Sequence, residues 1–240
     1  MSIKISILGD SISTLEGFSN NVVMNDDHDC YYPNSENDVT QLDETWWKEA
    51  CRQLQGTLLI NDAIGGTCVG YYNSTQDNYN HLGSNWCMNN STRIEDLHGS
   101  SSTDYPDVIF VFGGTNDLCQ NDFNQQTFAN NYSNMINLIH TRYPNVKIVC
   151  ITPYQCYLTS DHNPQITFDN LNTVCYWINH ITTLYPNCYL CSLQDIHLSG
   201  NNTPPDADSH DHPNVKGMRI IADRVAFVCS LNGIGDYIYG

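Results

Sequence analysis

Basic residues are scarce in this chain. Nine Lys and Arg stand against 26 Asp and Glu, a net charge of −17 with histidine neutral. Nucleic acid and anionic membrane both demand clustered Lys and Arg, so neither is expected as a partner. The charge suits a neutral or uncharged substrate and an exported or acid-tolerant protein, and serves equally as a solubility trait. Charged residues of both signs reach only 15%, and Asn, Tyr, Ser and Thr supply much of the polarity. Nowhere does an apolar run approach the roughly 18 residues of a membrane span. An apolar leader is missing too, since Met1-Ser2 runs almost directly into the short stretch Lys4-Ile5-Ser6-Ile7-Leu8. That favours a cytoplasmic protein, while a secreted mature form whose leader was replaced by Met has the same sequence.

Cysteine is plentiful, with 11 in the chain. Only Cys188 and Cys191 have CxxC spacing, and no second pair lies at zinc-ribbon distance, so a structural zinc site is not expected. Cys150 and Cys229 sit in apolar runs and read as small buried hydrophobes. With an odd count, the simpler inference is a reducing compartment.

The 240 residues suit one domain spanning 1–240, large enough to bury a core without staples. Five short apolar segments read as strands: 3–8, 57–61, 107–112, 147–151 and 188–192. Between them run helical patterns at 44–55 (Trp47, Ala50, Cys51 and Leu54 on one face), 128–143, 171–184 and 215–228. The almost wholly apolar segment 107–112 is what a strand covered on both faces of a parallel sheet looks like. This alternation predicts an α/β fold, with helices on both faces of a central, mostly parallel sheet. Stretches at about 18–43 and 67–103 are polar and weakly periodic, and read as long loops that serve as functional surfaces or mobile segments.

Ligands of open α/β sheets bind outside the carboxyl ends of the strands. Four clusters fall there. They are Gly9-Asp10-Ser11, the run from Asn61 to Gly65-Gly66, Gly113-Gly114-Thr115-Asn116-Asp117, and the last loop with Asp206, Asp208, His210, Asp211 and His212-Pro213-Asn214. A serine hydroxyl becomes a nucleophile when a neutral imidazole takes its proton. Hydrogen-bond donors aimed at the resulting oxyanion are worth about 3 kcal/mol each.

In order and position these clusters resemble the four blocks of the SGNH (GDSL-type) hydrolases, from residue 3 to about 228. The resemblance implies a three-layer α/β/α sandwich with a five-stranded, flavodoxin-like sheet. It implies Ser11 as nucleophile and His212 as general base. The oxyanion donors would be the backbone N–H groups of Ser11 and Gly66 and the side-chain amide of Asn116. Tyr31-Tyr32-Pro33 and Thr45-Trp46-Trp47 also look like features of some bacterial members.

The last loop departs from the family pattern. Asp-x-x-His spacing points to position 209, which is Ser209. Asp208, one residue further back, is the preferred acid, with Asp206 and Asp211 as alternatives and a dyad oriented by a backbone carbonyl as the remainder. The Asp and His residues of this loop also invite a metal, but they lie in one short segment and a base is already needed there, so neither metal nor cofactor is expected. His210 reads as an exposed loop or rim residue.

Other readings are plainer. Asn116 could be a helix cap, Asp117 is structural, and Trp46 and Trp47 are core residues. Tyr31, Tyr32, Tyr71 and Tyr72 lie near predicted strand ends, where packing competes with stacking on a sugar or acyl chain. The resemblance implies a serine esterase working through an acyl-enzyme. Its polar, Tyr- and Asn-rich loops favour a small acyl group, such as acetyl, on a carbohydrate or other polar carrier. The alternatives are an impaired carbohydrate-binding protein of the same fold and an acyltransferase using the same serine.

Overall fold

The computed structural model describes residues 2–19, 30–72, 84–156, 167–198 and 212–238. The strands are β1 (Lys4–Gly9), β2 (Thr57–Ala63), β3 (Val108–Phe112), β4 (Lys147–Ile151), β5 (Gln155–Cys156), β6 (Cys188–Cys191) and β7 (His197–Leu198). Five form a sheet in the order β2-β1-β3-β4-β6, with every neighbouring pair parallel. β5 and β7 pair separately as a two-residue ladder that sequence periodicity is too short to reveal.

The helices are α1 (Trp46–Gln53), α2 (Ser91–Glu95), α3 (Thr115–Leu118), α4 (Gln125–Arg142), α5 (Phe168–Thr182) and α6 (Val215–Leu231). Side chains alternate across β3, so the two faces feed separate cores. Val108, Phe110 and Phe112 join Trp46, Ala50, Met218, Ile221 and Val225 beneath α1 and α6. Ile109 and Val111 join Tyr132, Ile136, Val174 and Ile178 beneath α4 and α5. The sheet is thus the middle of three layers, and the α/β expectation holds. Each of these large apolar side chains contributes about 1.5–3 kcal/mol by leaving water.

Trp46 and Trp47 are fully buried core residues, as expected. The stretch 67–103, expected as loop and described except for 73–83, contains α2, which begins where the Asn90 side chain accepts the Thr92 N–H at 2.9 Å. Five residues are too few to show a helical period, yet this element buries Ile94 and the side chain of Arg93.

Candidate active site

β1 ends at Gly9, and the chain turns at once into a 3-10 turn over Ser11–Ser13. Asp10 caps that turn, its carboxylate accepting the Ile12 N–H at 3.1 Å. The turn folds back so closely that a Cβ at position 9 would lie 2.7 Å from Ser13 Oγ. Ser13 is in turn fixed by two buried donors. Trp46 Nε1 reaches its hydroxyl at 3.2 Å and Asn61 Nδ2 reaches its carbonyl at 2.8 Å. A half-buried Ser11 therefore stands at the carboxyl end of β1 on a turn anchored to α1 and β2.

His212 arrives from just before α6. Asn214 caps that helix by accepting the Gly217 N–H at 3.0 Å, and Pro213 biases His212 toward extended backbone. The imidazole Nε2 lies 2.8 Å from Ser11 Oγ although 201 residues separate the two. His212 is only 8% exposed. When Nε2 accepts the serine proton, the imidazole carries its own hydrogen on Nδ1, which then needs an acceptor. Asp208, Asp206, Asp211 and His210 lie outside the described residues.

The remaining blocks converge through Thr67. Its hydroxyl donates to the carbonyls of Ile64 at 3.0 Å and of Gly9 at 3.4 Å, and its own carbonyl accepts from Asn116 Nδ2 at 3.0 Å. One residue thus ties the ends of β1 and β2 to the start of α3. Gly66 has φ 71° and Gly114 φ 114°, backbone conformations that disfavour any side chain. Asn116 sits inside α3 and Gly114 is the N-cap residue, so Asn116 is no cap. Its second amide hydrogen is not committed to Thr67.

Asp117 is structural in its contacts. Fully buried, it accepts the Val69 N–H at 2.9 Å and the Tyr72 hydroxyl at 3.0 Å. Burial pushes its carboxyl up to about 6, against the lowering effect of those donors.

Two features escaped sequence reasoning. Arg93 Nε meets Asp62 Oδ2 at 2.8 Å, both side chains at most 4% exposed, and Nη2 approaches the Gly9 carbonyl at 3.4 Å. This buried pair braces the ends of β1 and β2 behind Ser11. The second is the segment 30–39, which cradles the His212 loop. Tyr32 Oη and Asn37 Nδ2 both donate to the Pro213 carbonyl, at 2.9 and 3.2 Å. Asp38 accepts the Val215 N–H at 2.8 Å, and the Tyr31 ring stacks on His212 with centroids 3.5 Å apart. Of the four loop tyrosines, Tyr32 and Tyr72 are packed and hydrogen-bonded, while Tyr71 is 46% exposed.

A cavity of about 740 Å³ opens at the opposite, amino end of the sheet, beside Lys4, Val108 and Lys147. It lies away from the Ser11 end, where α/β sheets bind their ligands.

The family model of the GDSL-like lipase/acylhydrolase family matches residues 7–220. No curated protein matches the chain in sequence. Among solved structures, one described as a GDSL-like lipase from Bacteroides uniformis is 26% identical with TM-score 0.62, covering 97% of either chain. Another so described, from Bacteroides ovatus, is 26% identical with TM-score 0.61, over 96% of this chain and 99% of that one. A family two carbohydrate esterase from Clostridium thermocellum, in complex with cellohexaose, has TM-score 0.62 over 97% of this chain and 66% of that one. At 15% identity that last likeness is one of fold.

Proposed function

The chain belongs to the GDSL-like lipase/acylhydrolase family, and we propose that it is a serine esterase that hydrolyses carboxylic esters through an acyl-enzyme. The observation that carries this reading is the 2.8 Å contact between Ser11 Oγ and His212 Nε2 at the carboxyl end of the sheet.

In the first step Ser11 Oγ bonds to the ester carbonyl carbon as its proton passes to His212 Nε2. Negative charge develops on the carbonyl oxygen, facing the N–H groups of Ser11 and Gly66 and the amide of Asn116. Collapse breaks the bond to the alcohol oxygen, which takes the proton from His212. Water then repeats the sequence, its proton going to His212 and its oxygen to the acyl carbon, and Ser11 regains its proton as the acid leaves. Asp208 orients the imidazole by accepting the Nδ1 hydrogen, the role an acid plays in such triads.

The substrate is a small acyl ester, such as acetate, on a carbohydrate or similarly polar carrier. Polar loops at the strand ends and the fold shared with a carbohydrate esterase support this. The test is release of acid from an activated acetate ester by the wild type and by Ser11→Ala. Turnover lost in the variant supports the proposal, whereas equal inertness of both proteins sinks the enzyme reading in favour of a binding protein. A sugar acceptor in the same assay distinguishes hydrolysis from acyl transfer by its product.

A further inference from the structure

The contact with Ser11 Oγ holds the imidazole at Nε2, and the orientation of the ring plane also depends on what packs against its faces. The Tyr31 ring lies parallel to His212, with an interplanar angle of 6° and centroids 3.5 Å apart. Tyr32 meets the same imidazole edge-on at 6.1 Å and 74°. The imidazole therefore sits in a corner formed by two adjacent tyrosines.

Tyr31 is also tied to the nucleophile. Its backbone N–H donates to Thr14 Oγ1 at 2.9 Å, and that hydroxyl donates to the Ser11 carbonyl at 2.7 Å. One residue thus registers the base against the turn that carries the serine, through its ring on one side and its backbone on the other.

We propose that Tyr31 is a positioning residue that holds the His212 imidazole in the plane needed to take the Ser11 proton, and that its ring face stabilises the imidazolium formed in the transition state. The proposal rests on His212 being the general base. The second effect follows because a cation over an aromatic face is attracted to it. Such an interaction is stronger in the transition state than in the ground state, so it acts on kcat and not on substrate affinity. A flat ring is required for both effects, and the tyrosine hydroxyl for neither.

The test compares Tyr31→Phe, Tyr31→Leu and Tyr31→Met in the full chain, with an activated acetate ester and with fluorophosphonate labelling of Ser11. Tyr31→Phe is expected to keep kcat within about twofold. Tyr31→Leu and Tyr31→Met are expected to lower kcat by about 10- to 50-fold with KM little changed, and to slow Ser11 labelling by a similar factor. Because Tyr31 is half-buried, the flexible thioether of Tyr31→Met fills its space if leucine prevents folding. Wild-type kcat in Leu and Met variants, or an equal loss in Phe, overturns the proposal. So does a lower melting temperature with unchanged turnover per folded molecule, the mark of a merely structural residue. If Ser11→Ala and His212→Ala still abolish turnover in that case, the esterase reading stands without it. A wild type that neither turns over nor labels at Ser11 removes both together.

Discussion

Arg93 and Asp62 form a buried ion pair, Nε to Oδ2 at 2.8 Å, behind the turn that carries Ser11. Arg93 also donates to the carbonyls of Trp86 and Asp62, so its guanidinium links β2 to the segment before α2. Removing one member of such a pair leaves the other charge buried and alone, a loss of about 3–5 kcal/mol. Arg93→Met is accordingly expected to lower the free energy of urea unfolding by about that amount. Adding Asp62→Leu should recover part of the loss, because the orphaned carboxylate is then gone. Equal stabilities for the single and double variants would contradict this account of the pair.

Asn116 reaches Thr67 with one amide hydrogen and has a second to offer an oxyanion. Asn116→Ala is expected to reduce kcat by about 10²–10³ with little change in KM, as loss of one oxyanion donor does. The lost Thr67 contact should cost only about 1 kcal/mol of stability. A rise in KM at constant kcat, measured by steady-state kinetics, would assign Asn116 to substrate binding instead.

The acid behind His212 is tested by three single variants. Asp208→Ala should lower kcat by about 10⁴, the scale seen when a triad acid is lost. Asp206→Ala and Asp211→Ala should stay near wild type. If the loss falls on either of those two, the assignment moves there, and if all three are active, the imidazole is oriented by a carbonyl.

Asp117 makes stability depend on pH with an unusual sign. Its ordinary value is 3.8 and burial raises it to about 6 in the folded chain. The folded protein therefore holds a proton there that the unfolded chain has lost. This contribution is fully present below about 3.8 and disappears as the pH rises through about 6. Its size is up to about 3 kcal/mol. In urea unfolding, wild type should gain stability relative to Asp117→Asn between pH 7 and 4.5. A difference that stays flat or runs the other way contradicts the buried-carboxyl account.

The parts legible in the sequence are those with a strong local signal. Val108–Phe112 is apolar throughout because both faces of β3 are covered, and α4, α5 and α6 show the helical period of a single buried face. The order of Gly-Asp-Ser, Gly-Gly, Gly-x-Asn-Asp and His-Pro-Asn at successive strand ends identified the family. The chain folds as expected of it, with Ser11 and His212 brought together. Arg93 carried no signal, because a buried arginine within a polar stretch looks like any surface arginine. Its partner Asp62 lies 31 residues earlier on another element. Tyr31 is visible in the sequence within Tyr31-Tyr32-Pro33, but its place on the His212 ring is not, since stacking depends on two loops whose approach no periodicity encodes.

The assignment of Ser11 as nucleophile and His212 as its base is read by incubation with a fluorophosphonate followed by peptide mass mapping. One phosphonyl group is expected on the peptide carrying Ser11, none in Ser11→Ala, and labelling slowed by at least about 10³ in His212→Ala. A label on another residue, or hydrolysis that continues while Ser11 stays unmodified, would contradict it.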